Sequence, residues 1–186
     1  MQVYIVGGPG SGKTTFARRL ADELALPFYE MDVIGWENGS GPRRPLEVRL
    51  ADIHRIASQS PWICEGGPYW DWAEELYQAA DHIVWLDLPW RIAGWRIISR
   101  HIRASLAGTN RHRGLLKLWR FVLYARGFYL GKDPALENSM QIFHRLQPYM
   151  DKVTRCRRPA KVEELFLRLI TEARQASTQA SDTIEH

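Results

Sequence analysis

The sequence predicts an α/β fold in which a five-stranded parallel sheet lies between two layers of helices. Two observations carry this prediction. Five short, mainly apolar runs alternate with longer segments of helical periodicity. The runs at Val3–Val6, Trp62–Cys64 and Ile83–Leu86 are apolar throughout, as expected for strands buried on both faces. The chain has 186 residues, which fits one domain. We place that domain at residues 1–176 and expect a polar, flexible tail at 177–186.

The elements follow one another in a simple alternation. Strands are predicted at Val3–Val6, Phe28–Met31, Trp62–Cys64, Ile83–Asp87 and Val153–Cys156. Helices are predicted at Thr14–Leu20 and beyond, Leu46–Ala57, Trp90–Leu106, Leu115–Tyr129, Pro134–Tyr149 with Asp133 as its cap, and Pro159–Ala176. The stretch from Gly35 to Pro45 is rich in glycine and proline, so we expect an irregular loop there.

The segment from Gly7 to Thr14 reads Gly-Gly-Pro-Gly-Ser-Gly-Lys-Thr, a full match to the phosphate-binding pattern G-x-x-x-x-G-K-[ST]. It follows an apolar strand and precedes a helix, which is the context in which such a loop binds phosphate. Lys13 can reach the β- and γ-phosphates, and the Thr14 hydroxyl can ligate Mg²⁺. The nucleotide-binding residues predicted here are Gly8, Pro9, Gly10, Ser11, Gly12, Lys13, Thr14 and Thr15.

Polar residues stand at the ends of the other predicted strands, where ligands bind in parallel sheets. Glu65 is predicted near Thr14 as a second metal-shell residue, and a purely structural role is the alternative. Asp32 suits a hydrogen-bond acceptor or general base for an acceptor hydroxyl. The alternatives are that it binds metal-bound water or caps a turn. Asp87 is better explained as a strand exit, and Arg157 lies in a turn that we expect to contact the nucleotide.

Ten basic residues and no acidic residue occur between Arg91 and Lys132, although the whole chain has a net charge of only +4. Arg96, Arg100 and Arg103 fall on one face of the predicted helix. We expect this block, residues 91–132, to form a lid that closes when a polyphosphate neutralises the arginines, with Arg100 catalytic and Arg96 and Arg103 on the nucleotide. A solvated basic helix face is the alternative.

Aromatic residues interleave with the basic block. They are Trp90, Trp95, Trp119, Phe121, Tyr124, Phe128 and Tyr129. Such a mixture can stack on single-stranded nucleic acid, but helices that pack on one another require the same apolar faces. We predict packing and keep nucleic-acid binding as the alternative.

Four segments carry a resemblance to known proteins. They are the phosphate loop, Met31–Trp36, Trp62–Gly66 and Ala80–Pro89. With them the chain resembles the nucleotide-kinase-like branch of the phosphate-loop fold, which contains adenylate and shikimate kinases. It is more closely similar to the small adenylate-kinase-like topology modulation (FlaR-like) proteins. The resemblance implies a nucleoside-monophosphate-kinase-like three-layer sandwich with an arginine-rich lid.

The resemblance also implies roles for particular residues. It places Glu65 in the metal shell and Asp32 beside the acceptor. We expect Trp36, Gly66 and Gly67 to complete the acceptor site with Asp32. Adenylate kinases follow their acid-Gly pair with Pro-Arg, and this arginine binds the acceptor phosphate. Here the chain reads Gly67-Pro68-Tyr69 instead. A nucleoside monophosphate is therefore not specified as acceptor.

These observations predict a magnesium-dependent kinase that uses ATP, or less favourably GTP, and phosphorylates a small molecule. The alternative is a nucleotide-switched regulator that binds nucleic acid. Two cysteines cannot form a disulfide framework, no apolar run is long enough to span a bilayer, and no secretory leader is evident. We therefore expect a cytoplasmic protein with no membrane partner.

Overall fold

The computed structural model describes residues 1–67, 70–107, 115–131 and 138–184. The strands are β1 (Gln2–Gly7), β2 (Phe28–Glu30), β3 (Trp62–Gly66), β4 (His82–Leu86) and β5 (Val153–Cys156). The helices are α1 (Lys13–Leu24), α2 (Met31–Gly35), α3 (Leu46–Ala57), α4 (Glu74–Ala79), α5 (Trp90–Leu106), α6 (Leu115–Leu130), α7 (Ser139–Leu146) and α8 (Pro159–Ile184).

All five strands pair in parallel, in the order β2-β3-β1-β4-β5, which confirms the predicted sheet. The central strand β1 alternates its side chains between the two faces. Tyr4 and Val6 pack with α3, α4, α6 and α7, whereas Val3 and Ile5 pack with α1 and α8. Helices therefore cover both faces of a fully buried strand, and the phosphate loop follows β1 in the middle of the sheet.

The second strand and the loop after it differ from the prediction. β2 ends at Glu30, so Asp32 lies in the first turn of α2 rather than at the end of a strand. The stretch from Gly35 to Pro45 is not irregular throughout. Trp36 forms an antiparallel bridge with Arg43, and Asn38 and Gly39 adopt positive φ angles that close the turn between them.

Helix boundaries beyond residue 115 also differ. α7 begins at Ser139, where the Asn138 side chain accepts hydrogen bonds from the backbone N–H groups of Met140 and Gln141. The predicted cap Asp133 and first residue Pro134 lie outside the described residues. α8 continues to Ile184, so the backbone of the predicted tail is helical as far as that residue.

The predicted lid includes residues that belong to the core. In α6, Ala125 is fully buried and Phe128 is 2% exposed within the cluster that covers one sheet face. Packing is confirmed for Phe128, and for Trp90 and Tyr129, whose rings lie 5.9 Å apart. It is wrong for the exposed aromatic side chains Trp95, Trp119, Phe121 and Tyr124.

Cys64 and Cys156 are buried free thiols, as the sequence predicts. Among the described residues, no helix combines the length and the apolar character that crossing a bilayer requires.

Candidate active site

The loop after β1 forms an anion-binding concavity at the start of α1. Gly10 and Gly12 have φ angles of 74° and 93°, a region that favours glycine over residues with a side chain. The Ser11 N–H donates to the Gly8 carbonyl at 3.1 Å, which closes the turn. α1 begins at Lys13 with no acidic residue in its first turn. Its positive end is therefore available to an anion.

Glu65 lies beneath this loop because β3 pairs with β1 in a register that sets Glu65 opposite Ile5. Its Oε1 accepts a hydrogen bond from the Thr14 hydroxyl at 2.8 Å, and its Oε2 is 4.0 Å from Lys13 Nζ. The residue is only 4% exposed, and Oε2 has no hydrogen-bond partner in the described chain. The predicted proximity of Glu65 to Thr14 is confirmed; its metal role stays a prediction.

Burial controls the protonation of the two carboxyl groups near Lys13. Loss of hydration raises the pKa of Glu65, while Lys13 and the Thr14 hydroxyl oppose the rise. The pKa of Asp32 is also raised, because the surrounding protein removes part of its hydration, and Lys13 again opposes the rise. The Asp32 side chain is nevertheless exposed, so an incoming molecule can reach it.

An open cleft of about 840 Å³ lies above the loop. Arg96, Arg100 and Arg103 line it on the side of α5, and Arg19 and Glu163 line it on the side of α1 and α8. Glu163 is already bound to both terminal nitrogens of Arg19, at 2.9 and 3.1 Å. From the phosphate loop, the lining residues are Gly10, Ser11, Gly12, Lys13, Thr14 and Thr15.

Two helices of the predicted lid hold the phosphate loop directly. From α5, Arg96 Nη1 donates to the Ser11 carbonyl at 2.7 Å. From α6, the Tyr129 hydroxyl donates to the Pro9 carbonyl at 3.1 Å, and the pKa of Tyr129 is raised by burial and by Asp87. A Cβ on Gly8 would lie 2.5 Å from Phe128 Cε1. These α6 contacts were missed because they join residues about 120 positions apart.

Arg157 and Asp87 are not among the residues that line the cleft. Asp87 Oδ2 lies 2.7 Å from Arg155 and 3.2 Å from Arg157, which agrees with its interpretation as a structural strand exit. The Arg157 side chain is 65% exposed. Its contact with a nucleotide stays a prediction.

None of the predicted acceptor residues is among the residues that line the cleft; they lie in and after α2 and at the end of β3. Trp36 follows Asp32 by one helical turn, and its N–H donates to the Asp32 carbonyl at 3.0 Å. Gly66 ends β3, and Gly67 is buried next to it. A Cβ on Gly66 would lie 2.4 Å from Met31 Cβ and 3.5 Å from the Trp70 ring. Only glycine therefore fits between β3, α2 and Trp70.

Sequence reasoning missed three residues on this side. The Trp70 ring lies 5.1 Å from the Trp36 ring and stacks on Trp72 at 5.3 Å. Arg49 is 6% exposed, with its guanidinium 5.0 Å from the Trp72 ring centroid and its Nε donating to the Arg44 carbonyl. The Trp-x-Trp spacing soon after β3 was a signal for the first two, whereas nothing in the sequence distinguished Arg49.

The donor set fits a magnesium ion that keeps most of its water. Within the described residues, no group of three or more His, Cys, Asp or Glu side chains could hold a metal. Thr14 and Glu65 supply oxygen atoms at the loop, and Glu65 Oε2 is buried without a hydrogen-bond partner there. Mg²⁺ is usually bound by one or two protein oxygens together with phosphates and water, which agrees with this arrangement.

Comparisons with known sequences find kinases and an ATPase family. Residues 3–61 match the family model "ATPase family associated with various cellular activities (AAA)". A cytidylate kinase from Aeropyrum pernix is 39% identical over 59 residues, which cover 32% of this chain and 32% of that protein. The match thus spans about a third of the length of this curated relative.

Solved structures resemble the chain over nearly its whole length. A gluconokinase from Sinorhizobium meliloti 1021 has a TM-score of 0.52 and 15% identity, with 98% of this chain and 96% of that chain covered. The chain therefore shares the overall fold of this gluconokinase. Shikimate kinase from Acinetobacter baumannii, in complex with shikimate, has a TM-score of 0.50 and 16% identity, with coverages of 94% and 93%. At these identities the likeness extends to the fold alone.

Proposed function

We propose that this protein is an ATP-dependent kinase that transfers the γ-phosphoryl group of Mg²⁺-ATP to an oxygen atom of a small acceptor. The observation that carries the proposal is the cluster of Lys13, Thr14 and Glu65 beside an open, arginine-lined cleft. Phosphoryl transfer needs positioning and charge neutralisation more than covalent chemistry. The cluster supplies both.

On the donor side, the N–H groups of the loop and the start of α1 hold the polyphosphate. The Lys13 ammonium group lies 4.0 Å from the Glu65 carboxylate in this structure. When the nucleotide binds, Lys13 turns towards the β- and γ-phosphates. Arg96, Arg100 and Arg103 face the same cleft and neutralise the charge that develops on the transferred group.

Thr14 and Glu65 would hold the metal ion, directly or through water. When bound, Mg²⁺ neutralises phosphate charge and orients the γ-phosphoryl group for in-line attack. Glu65 keeps the Thr14 hydroxyl in place through their 2.8 Å hydrogen bond.

On the acceptor side, we assign Asp32 as the proton acceptor. A bond forms between the acceptor oxygen and the γ-phosphorus, the bond from that phosphorus to the bridging oxygen of ADP breaks, and the hydroxyl proton goes to Asp32. The raised pKa of Asp32 makes its carboxylate a better base than an aspartate with the ordinary pKa. The kinase names of the matched proteins support this class of reaction and leave the acceptor open.

The proposal is tested by binding and turnover in parallel. A fluorescent ATP analogue with Mg²⁺ reports nucleotide binding, and a panel of nucleosides, nucleotides, sugars and hydroxy acids is screened for ADP release. We expect Lys13→Ala to reduce turnover by about 100- to 1000-fold, as for the loss of one transition-state donor.

Lys152→Ala is the matched control. Lys152 precedes β5 at the opposite edge of the sheet, where its Nζ donates to the Gln78 carbonyl. It should bind the analogue like the unmodified protein. Failure of the unmodified protein to bind Mg²⁺-ATP, or equal turnover in Lys13→Ala, would overturn the kinase proposal.

A second function is favoured by one observation, the exposed aromatic side chains of α5 and α6. Trp95 and Trp119 are 68% and 61% exposed, and Phe121 and Tyr124 are also exposed, in a region whose charged residues are all basic. This surface suits a single-stranded nucleic acid, whose bases stack on aromatic rings. It agrees with the resemblance to topology modulation proteins.

Binding of a fluorescent oligothymidylate at increasing salt tests the second function. Contact with several phosphates requires an affinity that falls steeply and linearly on logarithmic axes. We expect Trp119→Ala to weaken binding while ATP-analogue binding stays unchanged. Absence of binding at low salt would remove this function and leave the kinase proposal intact.

A further inference from the structure

Three indole rings form a continuous series beside the predicted acceptor residues, which we call the tryptophan stack (Trp36, Trp70 and Trp72). Trp70 is the middle ring. It lies parallel to Trp72, with an angle of 15° between the planes, and is tilted by 59° to Trp36. The three residues come from two segments that are more than 30 positions apart, so the fold brings them together.

The stack is closed at one end and open at the other. Trp72 is 9% exposed within the core cluster, and the Arg49 guanidinium lies over its ring. Trp36 and Trp70 are only partly buried, and Trp36 does not belong to that cluster. The two inner rings and the cation thus support Trp36, the outermost ring, which keeps part of its surface exposed.

Contacts on both sides connect the stack to the transfer chemistry. Trp36 is one helical turn from Asp32, and Trp70 borders Gly66, the residue after Glu65. Glu65 in turn contacts Thr14 and lies 4.0 Å from Lys13. A molecule seated against Trp36 therefore lies beside the helical turn that carries the proposed base Asp32.

We infer that the tryptophan stack is the ring platform of the acceptor site, and that the acceptor is a compound with a planar ring, such as a nucleoside or nucleotide. This inference rests on the proposed kinase function and narrows its acceptor class. Open-chain polyols and hydroxy acids are disfavoured, because their chains offer no flat face to an indole. The hydroxyl or phosphate to be phosphorylated projects from the ring towards Asp32.

The test measures acceptor binding with the donor site filled. Cytidine, adenosine and gluconate are titrated separately into the protein in the presence of Mg²⁺ and a non-hydrolysable ATP analogue, by calorimetry and by quenching of tryptophan fluorescence. We expect one or both nucleosides to bind with quenching, and gluconate to show neither signal.

Variants identify the rings responsible. Trp36→Ala is expected to weaken nucleoside binding about 5- to 150-fold, the range for removal of one stacked aromatic side chain. Trp36→Phe keeps a ring and should weaken it by less than about 5-fold. Leu167→Ala removes a large apolar side chain that is exposed on α8 and should have no effect. Circular dichroism checks that each variant is folded.

The outcomes separate the two proposals. If the ATP analogue binds but gluconate binds better than both nucleosides, or if Trp36→Ala binds nucleosides normally, the ring platform is wrong and the kinase proposal stands. If a nucleoside binds and Trp36→Ala removes it, yet no phosphorylated product forms, the platform stands and the kinase proposal fails.

Discussion

The two sides of the site are built in different ways. The phosphate-loop floor, defined as Gly8–Thr15 with Glu65, comes almost entirely from consecutive residues between one strand and one helix. The tryptophan stack is assembled from the end of α2 and the segment after β3. Backbone N–H groups form most of the binding surface in the floor, whereas bulky side chains form it in the stack.

This difference teaches where specificity resides. Every ATP molecule has the same triphosphate, so a floor of backbone groups can be encoded by a short fixed pattern. Acceptors differ in shape, and their recognition depends on side chains whose positions are set by the whole fold. Predictions that alter one side and leave the other intact can therefore break this comparison.

The largest expected effect is on the donor side. Arg100→Ala removes a guanidinium that lines the cleft above the phosphate loop, and we expect turnover to fall about 100- to 1000-fold with little change in acceptor affinity. Steady-state kinetics with the acceptor found in the screen measures this. Arg91→Ala is the control, because Arg91 is exposed on the same helix but does not line the cleft. Equal losses in both variants would contradict a specific role for Arg100.

The next effect concerns the junction between the two sides. In Gly66→Ala the new methyl group would lie 2.4 Å from Met31 Cβ, which is attached to the backbone of α2 and cannot rotate away. Overpacking of this kind costs about 1–3 kcal/mol, or a melting temperature lower by about 2–12 °C. Acceptor turnover should fall as α2 carries Asp32 out of place.

Gly35→Ala is the control for that junction. Its Cβ would meet Trp72 at 3.5 Å, an ordinary contact, so the melting temperature should change by less than about 2 °C. Thermal denaturation followed by circular dichroism compares the two. Similar destabilisation in both variants would show that the space around Gly66 is not what matters.

A moderate effect is expected where α6 packs on the floor. In Gly8→Ala the methyl group would lie 2.5 Å from Phe128 Cε1, so the loop or the ring must shift. We expect affinity for the ATP analogue to fall about 5- to 10-fold, at the lower end of the cost of overpacking. The double variant Gly8→Ala with Phe128→Leu should recover part of this loss. Additive losses would mean that the contact does not position the loop.

The smallest expected effect is on how the stability of the protein depends on pH. Because burial raises the pKa of Glu65 in the folded protein, the folded state holds this proton more tightly than the unfolded state. Stability of the unmodified protein therefore decreases as pH rises from about 4 through that raised pKa. Glu65→Gln does not ionise and keeps this stability. The melting temperature of Glu65→Gln minus that of the unmodified protein should therefore increase towards pH 8.

Melting curves of both proteins from pH 4 to pH 8 measure the difference, and turnover of Glu65→Gln should fall at the same time. The difference between the two melting temperatures could instead fall from pH 4 to pH 8. That result would mean that the contacts of Glu65 with Lys13 and Thr14 outweigh its burial.

Local sequence predicted the parts of the site that depend on local geometry. The sheet, the phosphate loop and the arginine face of α5 were all predicted, because strand alternation, glycine conformations and helical spacing are properties of neighbouring residues. Glu65 was predicted near Thr14 for a related reason, since parallel strands end at a common edge. The second strand was predicted one residue too long and α2 was not predicted, so Asp32 was expected at the end of a strand but lies in a helix.

Contacts between distant segments were decided only by the tertiary structure. Phe128 and Tyr129 lie against Gly8 and Pro9. Trp70 contacts both Trp36 and Trp72, and the Arg49 guanidinium lies over the Trp72 ring. The local sequence pattern looks alike around an aromatic residue that packs in the core, as Phe128 does, and around one that stays exposed, as Trp119 does. The sequence thus determined the strands, the loop and the chemistry at the strand ends. Which bulky side chains meet there was decided by packing across the whole fold, because burial is a property of all neighbouring segments together.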